Sequence, residues 1–280
     1  MKLSINKLLG VAFATATASF LLTSCYKKFD PNSYAPPFTV GGFTSASEIA
    51  PTNLVGHWGF DGDYKDKVSG VAGTNTGTSF IGGIKGQAMQ GALNSYVLFT
   101  PGNAIKTMSS FTITYWVNSP VVTTGIIGMV NLAKTDGFWG NINMFFENGS
   151  TATDGRFRAN IHNGTTDTWL AKDGIQSLFN VWTNLALSYN ATTSTLKLYK
   201  DGGMIASSTA AGFGPLAFAN IGNLVFGCVH FQTTPSQTTA TGTQPWASYL
   251  TGQLDEVRIY NKALSDIEVN SLVKLEGKGK

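Results

Sequence analysis

The stretch "RFRANIH", residues 156 to 162, carries the densest chemistry in the chain. Read as a strand, it sets Arg156, Arg158, Asn160 and His162 in one row and Phe157, Ala159 and Ile161 on the opposite face, because successive side chains alternate. A guanidinium to neutralise an anion, an amide to orient it and an imidazole to move a proton are the parts of an acid–base site. Glu147 offers a carboxylate on the polar face of the preceding strand, "NINMFFE", which also carries Asn143. Hydrolysis of a glycosidic bond with retention asks for more, namely two carboxyl groups about 5 Å apart, one nucleophilic and one protonated. The glutamates are Glu48, Glu147, Glu256, Glu268 and Glu276, and no two stand at alternate positions of one strand. His57 and His230 have no zinc-ligand spacing with each other or with a cysteine.

A second group is harder to place. In "LDEVRIY", residues 254 to 260, period-two alternation puts Asp255, Val257 and Ile259 on one face, and Leu254, Glu256, Arg258 and Tyr260 on the other. The first face reads as core, and a buried unpaired carboxylate costs several kcal/mol. Asp255 must therefore be compensated.

The elements that would position these groups are short strands separated by Gly, Asn and Asp turns, from Asn53 onward. "SFTITYWVN" turns Phe111, Ile113, Tyr115 and Val117 one way and Thr112, Thr114, Trp116 and Asn118 the other; "NLALSYN" alternates in the same manner. Each strand has one apolar face and one face rich in Asn, Arg, Thr and aromatics, which implies a sheet with a core side and a wet side. "TLKLYKDGGMIAS" reads as a hairpin turning at Asp201-Gly202. Ser265 followed by Glu268 is a capping box for a short terminal helix. No long amphipathic helix interrupts the strands. The expected class is all-β, a two-sheet antiparallel jelly-roll sandwich with a short C-terminal helix.

The ends read differently. Lys2 and Lys7 precede an uncharged stretch of 15 residues, "LLGVAFATATASFLL", too short to span a bilayer comfortably and of signal-peptide length. It ends in Leu22-Thr23-Ser24-Cys25, which resembles the bacterial lipobox. That resemblance implies cleavage before Cys25 and its lipidation, hence a tethered protein in the outer membrane of a Gram-negative bacterium, facing the periplasm or the cell surface. The expected organisation is a signal peptide over residues 1–24, lipidated Cys25 and a flexible stalk over 25–52, the folded domain over 53–274 and a tail over 275–280. Cys228, the second of two cysteines, lies in an apolar run and reads as buried and inert. Without Lys2 and Lys7 the chain has 17 basic against 16 acidic residues, and charged residues make up only 12% of it. No basic stripe appears, so nucleic acid is not implied as a partner.

The segments "LVGHWGFDGD", "GIKGQAM", "SFTITYWV", "WTNLALSYN", "LKLYKDGGMIAS" and "LDEVRIYNKALSDIEV" follow one another as in laminin-G-like domains of the concanavalin A-like lectin/glucanase superfamily. The chain resembles that family from about Leu54 to Val273. The resemblance implies glycan binding on one sheet face and its rim loops. It also offers Asp255 a partner, since many relatives hold a structural calcium ion beside the last strand. Asp61 and Asp63 of "FDGD" would complete that oxygen-rich site. The alternative is that Asp255 accepts backbone N–H bonds at a turn.

The family's laminarinase-type enzymes carry Glu-x-Asp-x-Glu on one strand, which this sequence lacks. Asn160-Ile161-His162 resembles the Gln-x-His strand of jelly-roll polysaccharide lyases only loosely, and the companion Tyr-Phe-Lys-x-Gly motif is missing. Trp58, Trp116 and Trp182 lie inside the family segments and read as packing residues. Trp139, Trp169 and Trp246 lie outside them, flanked by Gly, Thr and Asp, and are the candidates for a ligand platform. The Thr- and Gln-rich stretch from Gln232 to Ser248 reads as a rim loop. The leading expectation is a non-catalytic polysaccharide-binding lipoprotein, with Trp139, Trp169, Trp246, Asn143, Arg156, Arg158, Asn160 and His162 as ligand contacts. The alternatives are a polysaccharide lyase or glycoside hydrolase using Glu147, Arg158 and His162, and a protein-binding adhesion or envelope-complex module.

Overall fold

The structure is a computed structural model and describes residues 37–280 except Thr165 and Thr243. The expected signal peptide and lipidation site, Cys25, lie outside the described residues. Sheet one runs β14 (Gly203–Thr209), β13 (Thr195–Lys200), β12 (Thr183–Asn190), β6 (Phe111–Asn118), β17 (Gln253–Tyr260), β4 (Gln87–Gln90) and β3 (Ser79–Gly82), with β1 (Leu54–Trp58) also paired to β17. Sheet two runs β11 (Thr166–Ile175), β10 (Gly155–Asn163), β9 (Ile142–Phe146), β8 (Val130–Lys134), β15 (Ile221–Phe226), β5 (Tyr96–Phe99) and β2 (Thr74–Thr76). Two short strands extend it, β7 (Ile126–Gly128) on β9 and β16 (Ala247–Ser248) on β7. The β16–β7 pair is parallel; the other strand pairs are antiparallel.

The alternation read from sequence sets the core. Phe111, Ile113, Tyr115 and Val117 of β6 meet Ile142, Met144 and Phe146 of β9 and Phe157, Ala159 and Ile161 of β10 in one cluster between the sheets. Trp58 stands within it, edge-on to Phe99 and Phe226. The β13–β14 turn uses Asp201 (φ 50°) and Gly202 (φ 80°), the left-handed pair that matches strand twist in a two-residue hairpin. Cys228 is buried, and burial pushes its thiol far above the usual range.

Three expectations need correction. First, the outer side of sheet one is not wet. The C-terminal helix (Asp266–Glu276), opened by the Ser265–Glu268 capping box, packs over it. Ala186, Tyr199 and Tyr260 of the sheet form a second core with Val269, Leu272 and Leu275. Thr112 and Thr114 are buried there, and the Trp116 indole N–H donates to Glu276 at 2.9 Å.

Second, residues assigned to the stalk and tail belong to this core. Ala46 and Ile49 are buried against the helix, as are Leu275 and Glu276 at its end. The compact unit runs from Thr39 to Lys280. Third, β17 does not alternate strictly. Its pairing with β6 slips between Asp255 and Arg258, and Glu256 takes φ 46°. This bulge inserts one residue, so that Leu254, Val257 and Ile259 all enter the core while Asp255 does not share their face.

Candidate functional site

Asp255 is compensated by hydrogen bonds. Its Oδ2 accepts from Ile84 N (2.9 Å) and Lys85 N (3.2 Å), and its Oδ1 accepts from Glu256 N (2.7 Å). Burial nevertheless pushes it up to about 7, with the neighbouring Glu256 adding to the rise and the N–H groups opposing it. Asp61 reaches the far side of the same β3–β4 turn, where Oδ1 accepts from Gln87 N (3.0 Å) and Oδ2 pairs with Lys67 (2.8 Å). Asp63 accepts from Lys65 N at 3.0 Å. The sequence reading placed "FDGD" and Asp255 near one another, and both Asp61 and Asp255 do meet the turn.

The donors around these carboxylates are N–H groups and an ammonium, which repel a cation. Among the described residues no three His, Cys, Asp or Glu side chains are grouped to hold a metal. This set does not fit a shared calcium ion. Melting with and without EDTA is expected to agree within about 1 °C, since a ligand of the native state raises stability by mass action. A drop of several degrees in EDTA would restore calcium.

The residues proposed for catalysis do not converge. Arg158 Nε lies 3.4 Å from Glu147 Oε2, while its NH1 binds Asp173 Oδ1 at 2.6 Å. His162 stands four residues further along β10, a separation of about 13 Å at strand rise. Its Nδ1 faces Asp167 Oδ1 (2.7 Å) and its Nε2 faces Gly164 O (2.6 Å). Arg156 turns to Asp154, NH2 to Oδ2 at 3.0 Å. Asn143 and Asn160, expected to touch ligand, are fully buried. Asn143 Nδ2 donates to Asn160 Oδ1 (2.9 Å) and to Gly140 O (3.1 Å), and its Oδ1 accepts from Gly140 N (3.0 Å). These amides fix the loop that carries Trp139 instead of facing solvent.

The three candidate tryptophans do come together, on the outer face of sheet two, although Trp169 stands on strand β11 and not in a loop. Trp139 lies flat on Phe145, with ring centroids 5.4 Å apart and planes 6° apart. Trp169 of β11 meets Trp139 edge-on at 5.4 Å, and Trp246 approaches it at 6.4 Å. Phe138 stacks on Trp246 at 6.0 Å, and Phe231 supports both tryptophans of this side. Trp169 is 42% exposed and Trp246 39%. The cleft between them has a volume of about 440 Å³, with Glu147, Asn148 and Arg158 along its polar side.

Each ring is held by local structure. Trp169 sits opposite Asn160 in the β10–β11 ladder. Trp246 precedes β16, and its carbonyl accepts from Ile126 N at 2.8 Å. The 232–246 loop is pinned by Gln232 Nε2 to Ala247 O (2.8 Å) and by Tyr96 OH to Thr234 O (3.0 Å). Gly140 lets the Trp139 loop lie close, because a Cβ there would stand 2.4 Å from Leu132 O and 3.1 Å from His230 Cε1. Phe138, Phe145 and Phe231 were not expected in the platform. Phe145 carried a readable signal, a large aromatic on the polar face of β9.

His230 lies beneath this platform, fully buried, with Nε2 donating to Phe138 O at 3.0 Å. Burial lowers it to about 4. Between pH 6.5 and 4 the unfolded chain binds a proton at this residue that the folded chain does not, so stability is lost as pH decreases through that window, by about 3 kcal/mol. Asp255 and Glu276, both raised to about 7 by burial, titrate in the opposite sense. The difference between wild type and His230→Leu isolates the histidine. The variant is expected to lose less stability than wild type between pH 6.5 and 4 in urea unfolding, and parallel curves would contradict the assignment.

Two antiparallel sheets packed face to face around one core define a jelly-roll sandwich. Residues 90–270 match the concanavalin A-like lectin/glucanases superfamily, and the chain belongs to that family. No curated protein sequence matches the chain. Among solved structures, the binding domain of Paraclostridial Mosquitocidal Protein 1 superposes with a TM-score of 0.59 at 17% identity, over 79% of this chain and 52% of that one. The CBM40 module of the Ruminococcus gnavus IT-sialidase, determined bound to α2,3-sialyllactose, gives 0.52 at 16% identity, over 66% and 96%. The binding domain of botulinum neurotoxin DC, in complex with rat synaptotagmin II, gives 0.56 at 10% identity, over 80% and 52%. The chain thus spans about half the length of the two toxin domains. At these identities the likeness is one of fold.

Proposed function

We propose that this chain is a non-catalytic, glycan-binding lipoprotein of the cell envelope. The observation that supports the reading is the convergence of Trp139, Trp169, Trp246 and Phe145 around one open cleft. Sugar rings offer C–H faces to aromatic rings and hydroxyls to polar groups, and the cleft presents both kinds of surface side by side. The separation of His162 from the Arg158–Glu147 pair supports binding over turnover. Arg158 also stands against both Glu147 and Asp173, where hydrolysis would need a protonated carboxyl and a free one. Fold neighbours that carry sialyllactose or synaptotagmin make both a glycan and a protein reasonable ligands for this architecture.

The Leu22-Thr23-Ser24-Cys25 motif supports tethering to the outer membrane through Cys25. Fatty-acid labelling of cells should mark the wild type and leave Cys25→Ser unlabelled; equal labelling would contradict the anchor. For the glycan, affinity gels across a polysaccharide panel should show retardation without product release. A protein-binding role is the second reading, favoured by the exposure of Phe138, Trp169 and Trp246 in one apolar patch. Failure on every polysaccharide, with capture of an envelope protein that Trp169→Ala abolishes, would favour it.

A further inference from the structure

Resting on the glycan-binding reading, we infer that the cleft takes a neutral polysaccharide and rejects uronate, sialate and sulfated chains. Recognition of an acidic sugar needs a cation free to pair with it. On the aromatic face the cations are already matched. Arg158 is flanked by Glu147 and Asp173, Arg156 is held by Asp154, and His162 faces Asp167. The one arginine lining the cleft, Arg158, thus stands against two carboxylates, Glu147 and Asp173, a net negative charge. An acidic ligand would have to break the 2.6 Å Arg158–Asp173 pair, or sit beside the displaced carboxylates.

The same geometry suits an uncharged ligand. At 3.4 Å, Glu147 is further from Arg158 Nε than a charge-assisted hydrogen bond prefers. Its oxygens retain lone pairs, and a carboxylate accepts readily from the adjacent hydroxyls of a sugar ring. Glu147 and Asn148 line the same cleft as Trp169, so it offers polar groups for the hydroxyls of a ring stacked on the indole. The carboxylates that repel an acidic sugar thus bind a neutral one.

The test uses the full chain with Cys25→Ser, titrated with neutral xylo- and cello-oligosaccharides and with acidic oligogalacturonate and 3′-sialyllactose. The expected result is a preference for a neutral ligand of about tenfold or more, since like charges brought together across an interface repel. Neutral affinity should change less than about twofold as NaCl rises tenfold, because no ion pair with the ligand is being screened. Glu147→Gln should narrow the preference. Tighter, salt-sensitive binding of an acidic oligosaccharide, lost in Arg158→Met, would overturn the inference and leave glycan binding standing. No binding of either class would overturn the glycan-binding reading, and the inference with it.

Discussion

Replacing Arg258 with methionine is expected to cost about 3–5 kcal/mol of folding stability, the usual penalty for breaking a buried ion pair from one side. Arg258 lies under the C-terminal helix, with only 4% of its surface exposed. Its NH2 binds Glu256 Oε2 at 2.7 Å and its Nε binds Glu276 Oε1 at 2.6 Å. His57 Nε2 contacts Glu256 at 2.9 Å, and Trp116 caps the other end of the chain of groups. The guanidinium therefore neutralises two carboxylates that water cannot reach. The methionine fills most of the volume but leaves Glu256 with only His57 and Glu276 with only the Trp116 N–H, and one Glu256 oxygen already has no partner among the described residues.

The network joins β1, β17, β6 and the helix, so its loss should release the helix from the sheet. Urea unfolding and far-ultraviolet dichroism read both effects. Removing charge in balance, as in Arg258→Met with Glu276→Leu, should cost less than the single change, because it leaves one fewer unpaired acid. A single substitution that lowers stability by less than about 1 kcal/mol would mean that water enters this site.

Trp169→Ala is expected to weaken glycan binding by about 2 kcal/mol, roughly thirtyfold, with little change in stability. The indole stands on β11, the last strand on that side of sheet two, and is among the most exposed of the platform rings. Its loss removes stacking surface without opening a core cavity. Trp246→Ala should act similarly. Trp139→Ala should lose both binding and stability, because Trp139 lies between Phe145 and the two exposed indoles. This gradient separates ligand contact from support. Equal loss of stability in all three variants, with binding unchanged, would show that the cluster only fastens its loops.

Much of this was legible in the residue order. Alternation in β6, β9, β10 and β12 named the inter-sheet core, Asp201-Gly202 named a turn, and Ser265 with Glu268 named a helix start. Those signals are local, set by backbone sterics and by one side chain reaching a nearby N–H. The bulge at Glu256 was not legible, because its positive φ is imposed by the neighbours of β17 and not by its own residue type. The dryness of Thr112 and Thr114 was equally hidden. An alternating strand shows that a face is polar but not that a helix from the other end of the chain covers it. Asn143 and Asn160 misled for the same reason, as a buried amide with satisfied hydrogen bonds looks in sequence like a surface one. The three platform tryptophans could be chosen by their flanks, but nothing in their spacing showed that they meet.

The central claim is that the aromatic cleft is where ligand lands. The chain has six tryptophans, so its indole N–H resonances form a small spectrum that resolves the platform from the core. Titrating a bound neutral oligosaccharide into 15N-labelled Cys25→Ser protein should move the signals of Trp139, Trp169 and Trp246. Those of the buried Trp58 and Trp116 should stay in place. Shifts confined to Trp116 or Trp182 would place the ligand elsewhere and contradict the account.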